Sequence, residues 1–547
     1  MSCYEINKFN GGVSDFEDRG IAGSFKFGSN LDIRKIVDSL SCNQSMLSEG
    51  DQSEGRSPSA STSPSASVSP SSSPSPTNSP SASTSPSSSV SLSPSGSTGI
   101  SDSPSLSPSA SASPSASTSP SHSNSPSPSP SGGLNPTFKD LIQFFVKCTD
   151  GFTYGFGNTG YVYRRDSDGI WDQVYKDSDG EIKGAYEWYS DTGNTYLYFA
   201  TDTLLKRKLV GGRSDWNDVT VVGNLTSADW HTMTEAGGSL IICNKSMLAL
   251  VGYDDSFTNE ALDLVPGNIA NTVIEREGYS IVGSARVSNP TEGINAMIDG
   301  EVPLAQVGED GEIYYSDLTN TMPIKRFPGG GKVNPGGVVN LVTQPYIFSW
   351  EQNSLSWIDK KAIGNLSLFG VYSATSGKNG IWSYGRKNKN HPFALNLEYA
   401  IDCDEIGAIT QVNGTILASV KNGTDFDVYA VDPDNKAIGI YEGLDFKVPI
   451  KTGDGVANPV DVAVWKMAEV YMKPLPEGTN VEFWYRLDKT GDFVRALTSD
   501  GQTAFRTVSA KKATFRIGAN GQVYEPRIVL NPSGNSTPEI YRVRNYF

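Results

Sequence analysis

The chain has 547 residues, which is too long for one ordinary core, so two or more folded units are expected. Its 44 Lys and Arg are outnumbered by 60 Asp and Glu, and the net charge of −16 argues against a protein that grips nucleic acid by neutralising phosphates. The five cysteines are scattered along the chain, a pattern typical of reduced thiols. The sequence predicts neither a secretory signal nor a membrane span, since it lacks a basic and apolar leader and a long apolar run.

The first 131 residues hold two regions that cannot build a core. Residues 1–56 form a short N-terminal arm of mixed composition, which we expect to dock on another surface because it is too small to fold alone. Residues 57–131 are a Ser/Pro-rich low-complexity linker with repeats such as SPSAST. Proline fixes φ and removes a hydrogen-bond donor, so this tract predicts coil or polyproline II.

Residues 132–450 read as short strands divided by Gly, Asp, Asn and Ser turns. Examples are LIQFFVKC, TYLYFAT, SLIIC and GTILASV, without a helical period between them. The rhythm of strand and turn recurs every 40–50 residues, the length of a propeller blade. This predicts an all-β fold with a β-propeller of six or seven blades, and a pair of two-sheet sandwiches is the alternative.

Two paired turns, Asp166-Ser-Asp168-Gly169 and Asp177-Ser-Asp179-Gly180, resemble the beginning of a calcium loop. Neither continues to a full set of ligands. Asp and Gly are also the residues that hairpin turns favour, and this interpretation is preferred. We therefore predict no metal site and no cofactor.

A glycine-rich loop contains Gly329, Gly330, Gly331 and Lys332. It lacks the spacing of a phosphate-binding loop and has no Ser or Thr after the lysine. Because glycine permits close backbone approach, we predict that this loop lines a channel or contacts a neighbouring subunit.

Residues 451–547 carry longer strands that alternate more regularly, such as TNVEFWYRLD and KKATFRIGA. This alternation predicts a C-terminal antiparallel β-sandwich with one solvated face.

Catalytic motifs are hard to find in this chain. His122 lies in the Ser/Pro tract, His231 follows a tryptophan and His391 precedes a proline, and none has a nucleophile elbow or a metal-ligand partner at useful spacing. We interpret them as surface or edge histidines and predict that the protein is not an enzyme.

The N-terminal arm contains Phe9-Asn-Gly11-Gly12-Val-Ser and later Asn30-Leu-Asp-Ile-Arg34. This sequence resembles the N-terminal region of bacteriophage tail nozzle and tail tubular proteins, in which a Gly-Gly turn precedes a propeller. The resemblance covers about 40 residues, and the Arg-Pro-Gly close usual in that family is absent. The closing strands and the Ser-Pro-Ser-Ala-Ser repeats also resemble phage virion proteins.

The resemblance implies a structural protein of the phage tail, made in the host bacterial cytoplasm and assembled into the virion. Such proteins form a ring, commonly six-fold, that contacts portal, adaptor or other tail proteins and lets double-stranded DNA pass without specific binding. The arm then supplies assembly contacts, for which the candidates are Phe9, Gly11, Gly12, Asn30 and Arg34.

Two other classes of function remain open. A propeller could bind host-surface glycan through exposed aromatic residues, with Trp188, Trp216, Trp357 and Trp382 as candidates, although tryptophans of this kind are commonly core residues. A glycan-degrading enzyme would need a pair of carboxylates that the sequence does not single out.

Overall fold

The computed structural model describes residues 3–9, 11–13, 24–34, 38–49, 138–276, 279–286, 294–296, 305–307, 312–316, 321–326, 332–342, 365–373, 378–386, 394–447 and 463–547. Every regular element within these ranges is a β-strand, so the predicted all-β class is confirmed. No helix long and apolar enough to cross a membrane occurs among them. The Ser/Pro tract of residues 57–131 lies outside the described residues.

Seven short strands come from residues 3–49, which we call the N-terminal segment. Only the last of them exceeds four residues in length. They are β1 (Cys3–Ile6), β2 (Gly12–Val13), β3 (Ser24–Phe25), β4 (Phe27–Ser29), β5 (Leu31–Asp32), β6 (Ser41–Cys42) and β7 (Gln44–Ser48). Among themselves these strands form only the two-stranded sheets β2-β3 and β5-β6, which are too small to be stable alone. Strands β1, β4 and β7 each pair with strands from the second half of the chain.

Twelve strands after the tract form three four-stranded antiparallel sheets, each from consecutive strands. The first is β8 (Ile142–Lys147), β9 (Thr153–Gly157), β10 (Tyr161–Arg165) and β11 (Trp171–Lys176). The second is β12 (Gly184–Tyr189), β13 (Thr195–Ala200), β14 (Leu204–Leu209) and β15 (Thr220–Asn224). The third is β16 (Met233–Ala236), β17 (Ser239–Asn244), β18 (Met247–Val251) and β19 (Phe257–Asp263).

Of the two predicted Asp-Gly hairpin turns, the one at residues 166–169 is a hairpin of the first sheet, whereas the one at residues 177–180 follows β11 and connects the first sheet to the second. Asp166 accepts backbone N–H bonds from Asp168 (2.9 Å) and Ile170 (2.8 Å), and Gly169 has a φ of 88°. A side chain that bonds its own turn in this way fixes the hairpin between β10 and β11. The carboxylate of Asp166 therefore stabilises the turn by accepting hydrogen bonds from its backbone.

The next strands continue the same pattern. They are β20 (Asn268–Arg276) with β21 (Tyr279–Arg286); β22 (Ile294–Ala296), β23 (Ala305–Val307), β24 (Glu312–Ser316) and β25 (Thr321–Arg326); β26 (Lys332–Val342), β27 (Asn365–Tyr372), β28 (Gly380–Arg386) and β29 (Ala394–Ala400); and β30 (Glu405–Val412), β31 (Thr415–Asn422) and β32 (Asp425–Lys436). The first strand of each group contacts the first strand of the next, and β30 contacts β8. In the part of the chain that the structure describes, seven sheets close a ring. This confirms the predicted β-propeller, with seven blades among these residues.

The N-terminal segment closes this ring. Strand β7 pairs antiparallel with β32 and is the outermost strand of the seventh blade. Directly after β7, Glu49 reaches the first blade, where it accepts bonds from Arg165 Nε (2.8 Å) and Trp171 Nε1 (2.8 Å). The first and last blades are thus joined by a segment that precedes both in the sequence.

The remaining strands are β33 (Gly439–Glu442), β34 (Phe446–Lys447), β35 (Ala463–Met472), β36 (Asn480–Leu487), β37 (Val494–Arg495), β38 (Leu497–Thr498), β39 (Lys512–Gly521), β40 (Val523–Asn531) and β41 (Ile540–Tyr546). Five strands form a sheet in the order β1-β41-β35-β39-β38. The others extend the sixth blade into a ten-stranded sheet, in the order β26-β27-β28-β29-β4-β33-β40-β36-β37 with β34 beside β40.

A single large core lies between the N-terminal segment, the sixth blade and the C-terminal strands. Phe25, Trp382, Trp465, Phe483 and Phe515 belong to it and are fully buried. The C-terminal sandwich is therefore not confirmed as an independent unit, because its strands share both a sheet and a core with the propeller. The domain limits 1–56, 57–131, 132–450 and 451–547 stay predictions, although hydrogen bonds cross residue 450 from β33 and β34 to β40.

Candidate functional site

The Gly-Gly turn of the N-terminal segment packs inside its own chain. Phe9 and Gly11 are buried, and the Phe9 ring meets Tyr441 edge-on, with 5.4 Å between ring centroids. Gly12 has a φ of 74°, and a Cβ there would lie 2.7 Å from the backbone oxygen of Leu395. Only glycine permits this approach of the turn to β29.

Asn30 joins β29 of the sixth blade to the short connection between β32 and β33. It adopts the left-handed conformation, with a φ of 53°. Its Oδ1 accepts the N–H of Ala400 (2.7 Å), and its Nδ2 donates to the backbone oxygen of Ile438 (3.2 Å). Asn tolerates this backbone conformation better than most residues, which explains its use at this bend.

Arg34 and Glu398 form a buried ion pair between the N-terminal segment and β29. Arg34 also donates to Ser383 Oγ (2.8 Å) and to the backbone oxygen of Ala394 (2.6 Å). The other carboxylate oxygen of Glu398 accepts from Asn43 Nδ2 (3.0 Å). The pair is therefore supported by polar neighbours on both sides, as a buried charge requires.

All five candidate assembly residues thus make contacts within one chain, and their role between subunits stays a prediction. Of the glycine-rich loop, Gly329, Gly330 and Gly331 lie outside the described residues. Lys332 begins β26 and is exposed.

The inner strands meet closely at the centre of the ring. A Cβ on Gly336 of β26 would lie 1.7 Å from the backbone oxygen of Gln143 on β8. A Cβ on Gly407 of β30 would lie 2.2 Å from the backbone oxygen of Ile142. Three of the seven innermost strands therefore touch at this level, and the space between them is closed.

A polar pocket of about 300 Å³ lies where the second, third and fourth blades meet, and its lining residues are Lys183, Ser227, Ala228, Asp229, Lys245, Ile269, Ala270 and Asn271. Lys183 Nζ donates to Asp202 Oδ1 (2.7 Å) and to the backbone oxygen of Ala228 (2.6 Å). The bond from Lys183 holds the pKa of Asp202 below its usual range. Since none of the eight lining residues is aromatic, the pocket suits a small polar ligand rather than a stacked sugar ring.

His231 lies beside this pocket and is fully buried, so its interpretation as a surface or edge histidine is wrong. Its Nδ1 is 2.8 Å from the backbone oxygen of Cys243, and its Nε2 is 3.0 Å from that of Asp202. Burial lowers the pKa of the imidazole. Carbonyl oxygens only accept, so the neutral imidazole donates to one of them through its single N–H. The full burial of the ring keeps it away from any substrate in solvent.

No described group of three or more His, Cys, Asp or Glu side chains could hold a metal ion. The five cysteines are free thiols, and all except Cys3 are buried. Burial raises the pKa of Cys243 and Cys403 to about 12. A thiol of this kind stays protonated and unreactive near neutral pH.

The tryptophans considered for glycan binding are core residues wherever the structure describes them. Trp188 packs between the second and third blades, Trp216 between the first and second, and Trp382 in the large shared core. Each is at most 2% exposed. Trp357 lies outside the described residues.

No family model matches the chain, and no curated protein matches it. Among solved structures, the chain is similar to a streptogramin B lyase, at 12% identity over 55% of this chain and 95% of that one, with a TM-score of 0.36. It is also similar to the WD40 β-propeller domain of Doa1 (11% identity, 55% and 96% coverage, TM-score 0.33). A third is the β-propeller domain of Myceliophteria thermophila Cps50 (Swd1), at 10% identity, 54% and 97% coverage and a TM-score of 0.35.

Sequence reasoning missed an aromatic pair on the propeller surface. Tyr189 follows a core tryptophan at the end of β12, and Tyr253 lies in the turn between β18 and β19. Each is 49% exposed, and their rings meet edge to face with centroids 6.1 Å apart. A bond from Asp191 N–H to the Tyr253 oxygen (2.8 Å) holds the two turns together. The residues come from different blades, so only the fold brings them together.

Proposed function

We propose that the protein is a non-enzymatic structural component of a bacteriophage tail, at the nozzle or hub, where several copies form a ring around the path of the genome. Portal, adaptor or other tail proteins are its neighbours. The proposal of a tail protein is based on the sequence of the N-terminal segment, which resembles that of tail nozzle proteins. The full burial of His231 supports a role in which this histidine takes no part in catalysis.

The observation that carries the proposal is the ten-stranded sheet that runs from the sixth blade through β4 and β33 into the C-terminal strands. A continuous hydrogen-bonded sheet does not hinge at a domain boundary, because bending there would break its ladder of bonds. The N-terminal segment supplies β4 and also closes the propeller with β7. A stiff body of this kind suits a wall that bears load.

The packing of the inner strands bears on where a conduit would lie. The inner strands β8, β26 and β30 touch at Gly336 and Gly407, and this close packing favours a genome path outside the single propeller. The genome path in this proposal therefore runs between copies, around the axis of the ring. The acidic balance of the chain discourages DNA from adhering to such a path.

Electron microscopy of the purified full chain tests this proposal. We expect closed rings with an open axial channel, and six-fold symmetry is the expected count. Gold labelling of this protein on phage particles is expected to fall on the tail axis. Particles that remain single copies at every concentration, with label away from the tail axis, would contradict the proposal.

A second candidate function is binding of host-surface glycan, and the Tyr189–Tyr253 pair favours it. Two half-exposed rings offer apolar faces on which a pyranose ring stacks, and their hydroxyls can bond sugar oxygens. The neighbouring Asp191 and Asp254 are exposed carboxylates, which disfavour an anionic polysaccharide. A neutral glycan therefore suits this surface.

Replacing Tyr189 and Tyr253 together by alanine is expected to remove any glycan binding that the wild-type chain shows on an array of neutral oligosaccharides. Tyr541→Ala is the matched control, because Tyr541 is also exposed, at 40%, but lies on the C-terminal sheet. Equal array signals from the double variant and the wild type would exclude this surface as the binding site.

A further inference from the structure

Charge is unevenly distributed along the chain. Residues 463–547 carry twelve Lys and Arg against eight Asp and Glu, a net charge of +4. The whole chain has a net charge of −16, so the residues outside this range carry a net charge of −20. Residues 138–276, which form the first three blades and the start of the fourth, have twelve cationic and twenty acidic residues, a net charge of −8. The C-terminal strands are thus a basic part of an acidic protein.

The strand register places much of this positive charge on one face. Side chains alternate across a strand, and the core side of the five-stranded sheet is taken by residues such as Val470, Phe515 and Val543. On the opposite side, Tyr471 lies between Arg542 and Lys512, and Glu469 lies beside Arg544. Arg516 lies on the same side of β39, two residues beyond Thr514, which is paired with Glu469. We call this the basic face: Lys512, Arg516, Arg542 and Arg544, with Tyr471, Tyr546, Glu5 and Glu469.

The two carboxylates of the basic face already have their partners. Glu469 accepts from Lys512 Nζ (2.8 Å), Tyr471 Oη (2.7 Å) and Tyr546 Oη (2.8 Å). Burial opposes ionisation of Glu469, but these three donors outweigh it and keep its pKa below the usual range. Glu5 accepts from Arg544 Nε (2.6 Å). Four cations against two carboxylates leave the face positive.

The aromatic ring of the basic face is covered by cations. The Lys512 Nζ and the guanidinium carbons of Arg542 and Arg544 lie 6.0, 5.7 and 5.4 Å from the Tyr471 centroid. A covered ring cannot act as a platform for stacked bases, which single-stranded nucleic acid prefers. Leu497 is paired with Arg516 and is 44% exposed. Arginine, tyrosine and an exposed apolar side chain together are typical of protein interfaces.

The chain itself has a surface with the opposite character. Residues 246–275 contain five carboxylates and no Lys or Arg. Within them, β19 is the outermost strand of the third blade, and Glu260 and Asp263 on it are exposed. Leu262 and Val265 are 59% and 70% exposed beside them. This outer edge is acidic and apolar, so it complements the basic face in both respects.

We propose that the basic face of one copy docks on the outer edge of the third blade in the next copy. The inference rests on the proposed ring and names the contact that builds it. The two surfaces are different patches of the same chain, so each copy contacts one neighbour with each patch. A contact of this heterologous type closes into a ring when the rotation between copies allows it.

Charge reversal in the full chain tests the contact, with sedimentation velocity as the measurement. Arg516→Glu changes a cation of the basic face, and Lys466→Glu changes the exposed lysine at the bulge of β35, next to Met467, which is paired with Arg516. Neither cation holds a carboxylate in the described ion pairs. Glu260→Lys with Asp263→Lys changes the other surface. Each pair is expected to weaken association at least about tenfold, and the four changes together to restore it. Lys147→Glu with Arg213→Glu is the control, since it alters charge equally at exposed positions elsewhere.

The outcomes separate this contact from the ring itself. Wild-type association that weakens between about 0.1 M and about 1 M salt supports the contact, because screening shortens the reach of charge. If the Lys466 and Arg516 variant assembles like the wild type, or if the fourfold variant fails to recover, the contact is wrong and the ring stands. If that variant assembles normally but loses binding to a DNA duplex, the face binds nucleic acid and the inference is overturned. A wild-type chain that never associates removes both the ring and the contact.

Discussion

Glu49→Ala is expected to lower the free energy of unfolding by about 3–5 kcal/mol, because it removes one partner of a buried ion pair and leaves the other uncompensated. Glu49 is 4% exposed. Arg165 binds it with two nitrogens, at 2.8 and 2.5 Å, and Trp171 Nε1 donates to it at 2.8 Å. Removing the carboxylate leaves a buried guanidinium and a buried indole N–H without this acceptor.

Because of the position of Glu49, the Glu49→Ala substitution is expected to weaken the closure of the propeller ring. The residue follows β7 in the seventh blade and binds β10 and β11 in the first, so its removal separates the two ends of the propeller. Urea unfolding followed by tryptophan fluorescence measures the effect, and amide exchange is expected to rise first in β7 and β11. Glu477→Ala, at an exposed position outside the proposed contact, should stay within about 0.5 kcal/mol of the wild type. A Glu49→Ala chain as stable as that control would show that the pair does not close the ring.

The blades could be predicted from the sequence because their signals are local. Each hairpin joins neighbouring strands through a turn of a few residues, such as Asp166 to Gly169, and the alternation of strand and turn repeats along the chain. What the sequence left open was the number of blades. The inner strands decide that number, since β30 must meet β8 to close the ring.

The closure itself has no local signature. Ser48 pairs with Tyr429 and Leu47 with Ala430, so the bonds join parts of the chain that are far apart in sequence. The N-terminal segment was expected to dock on another surface, because it is too short to fold alone. Its composition did not say on what, and the structure docks it within its own chain.

The candidate site also combines features that the sequence predicts with features that only the fold determines. Composition cannot distinguish a tryptophan in a blade core from one on a surface, and Trp188, Trp216 and Trp382 prove to be core residues. Their neighbours in sequence or space carry the exposed rings instead: Tyr189 directly follows Trp188 and meets Tyr253 from another blade. Charge asymmetry could be counted from the sequence, but the register was needed to place the cations on one face.

Replacing residues 50–137 by about six Gly and Ser residues is expected to stabilise the fold by about 2 kcal/mol. Both ends of this stretch are fixed on the same strand: the Glu49 N–H donates to the Val428 oxygen (2.7 Å), and Phe138 forms a bridge with Phe426. Two residues of a strand span about 7 Å, so a short connection reaches from one end to the other.

The sign of this prediction follows from loop entropy. Closing a long loop costs more conformational entropy than closing a short one, and each doubling of its length costs about 0.6 kcal/mol. Shortening the stretch about fifteenfold therefore favours docking of the N-terminal segment by about four such steps. A chain with residues 57–131 scrambled at constant length and composition is the control, and it should unfold at the wild-type urea concentration. Loss of stability in the shortened chain would mean that the Ser/Pro tract itself stabilises the fold. The attachment of both ends of the stretch to β32 argues against this outcome.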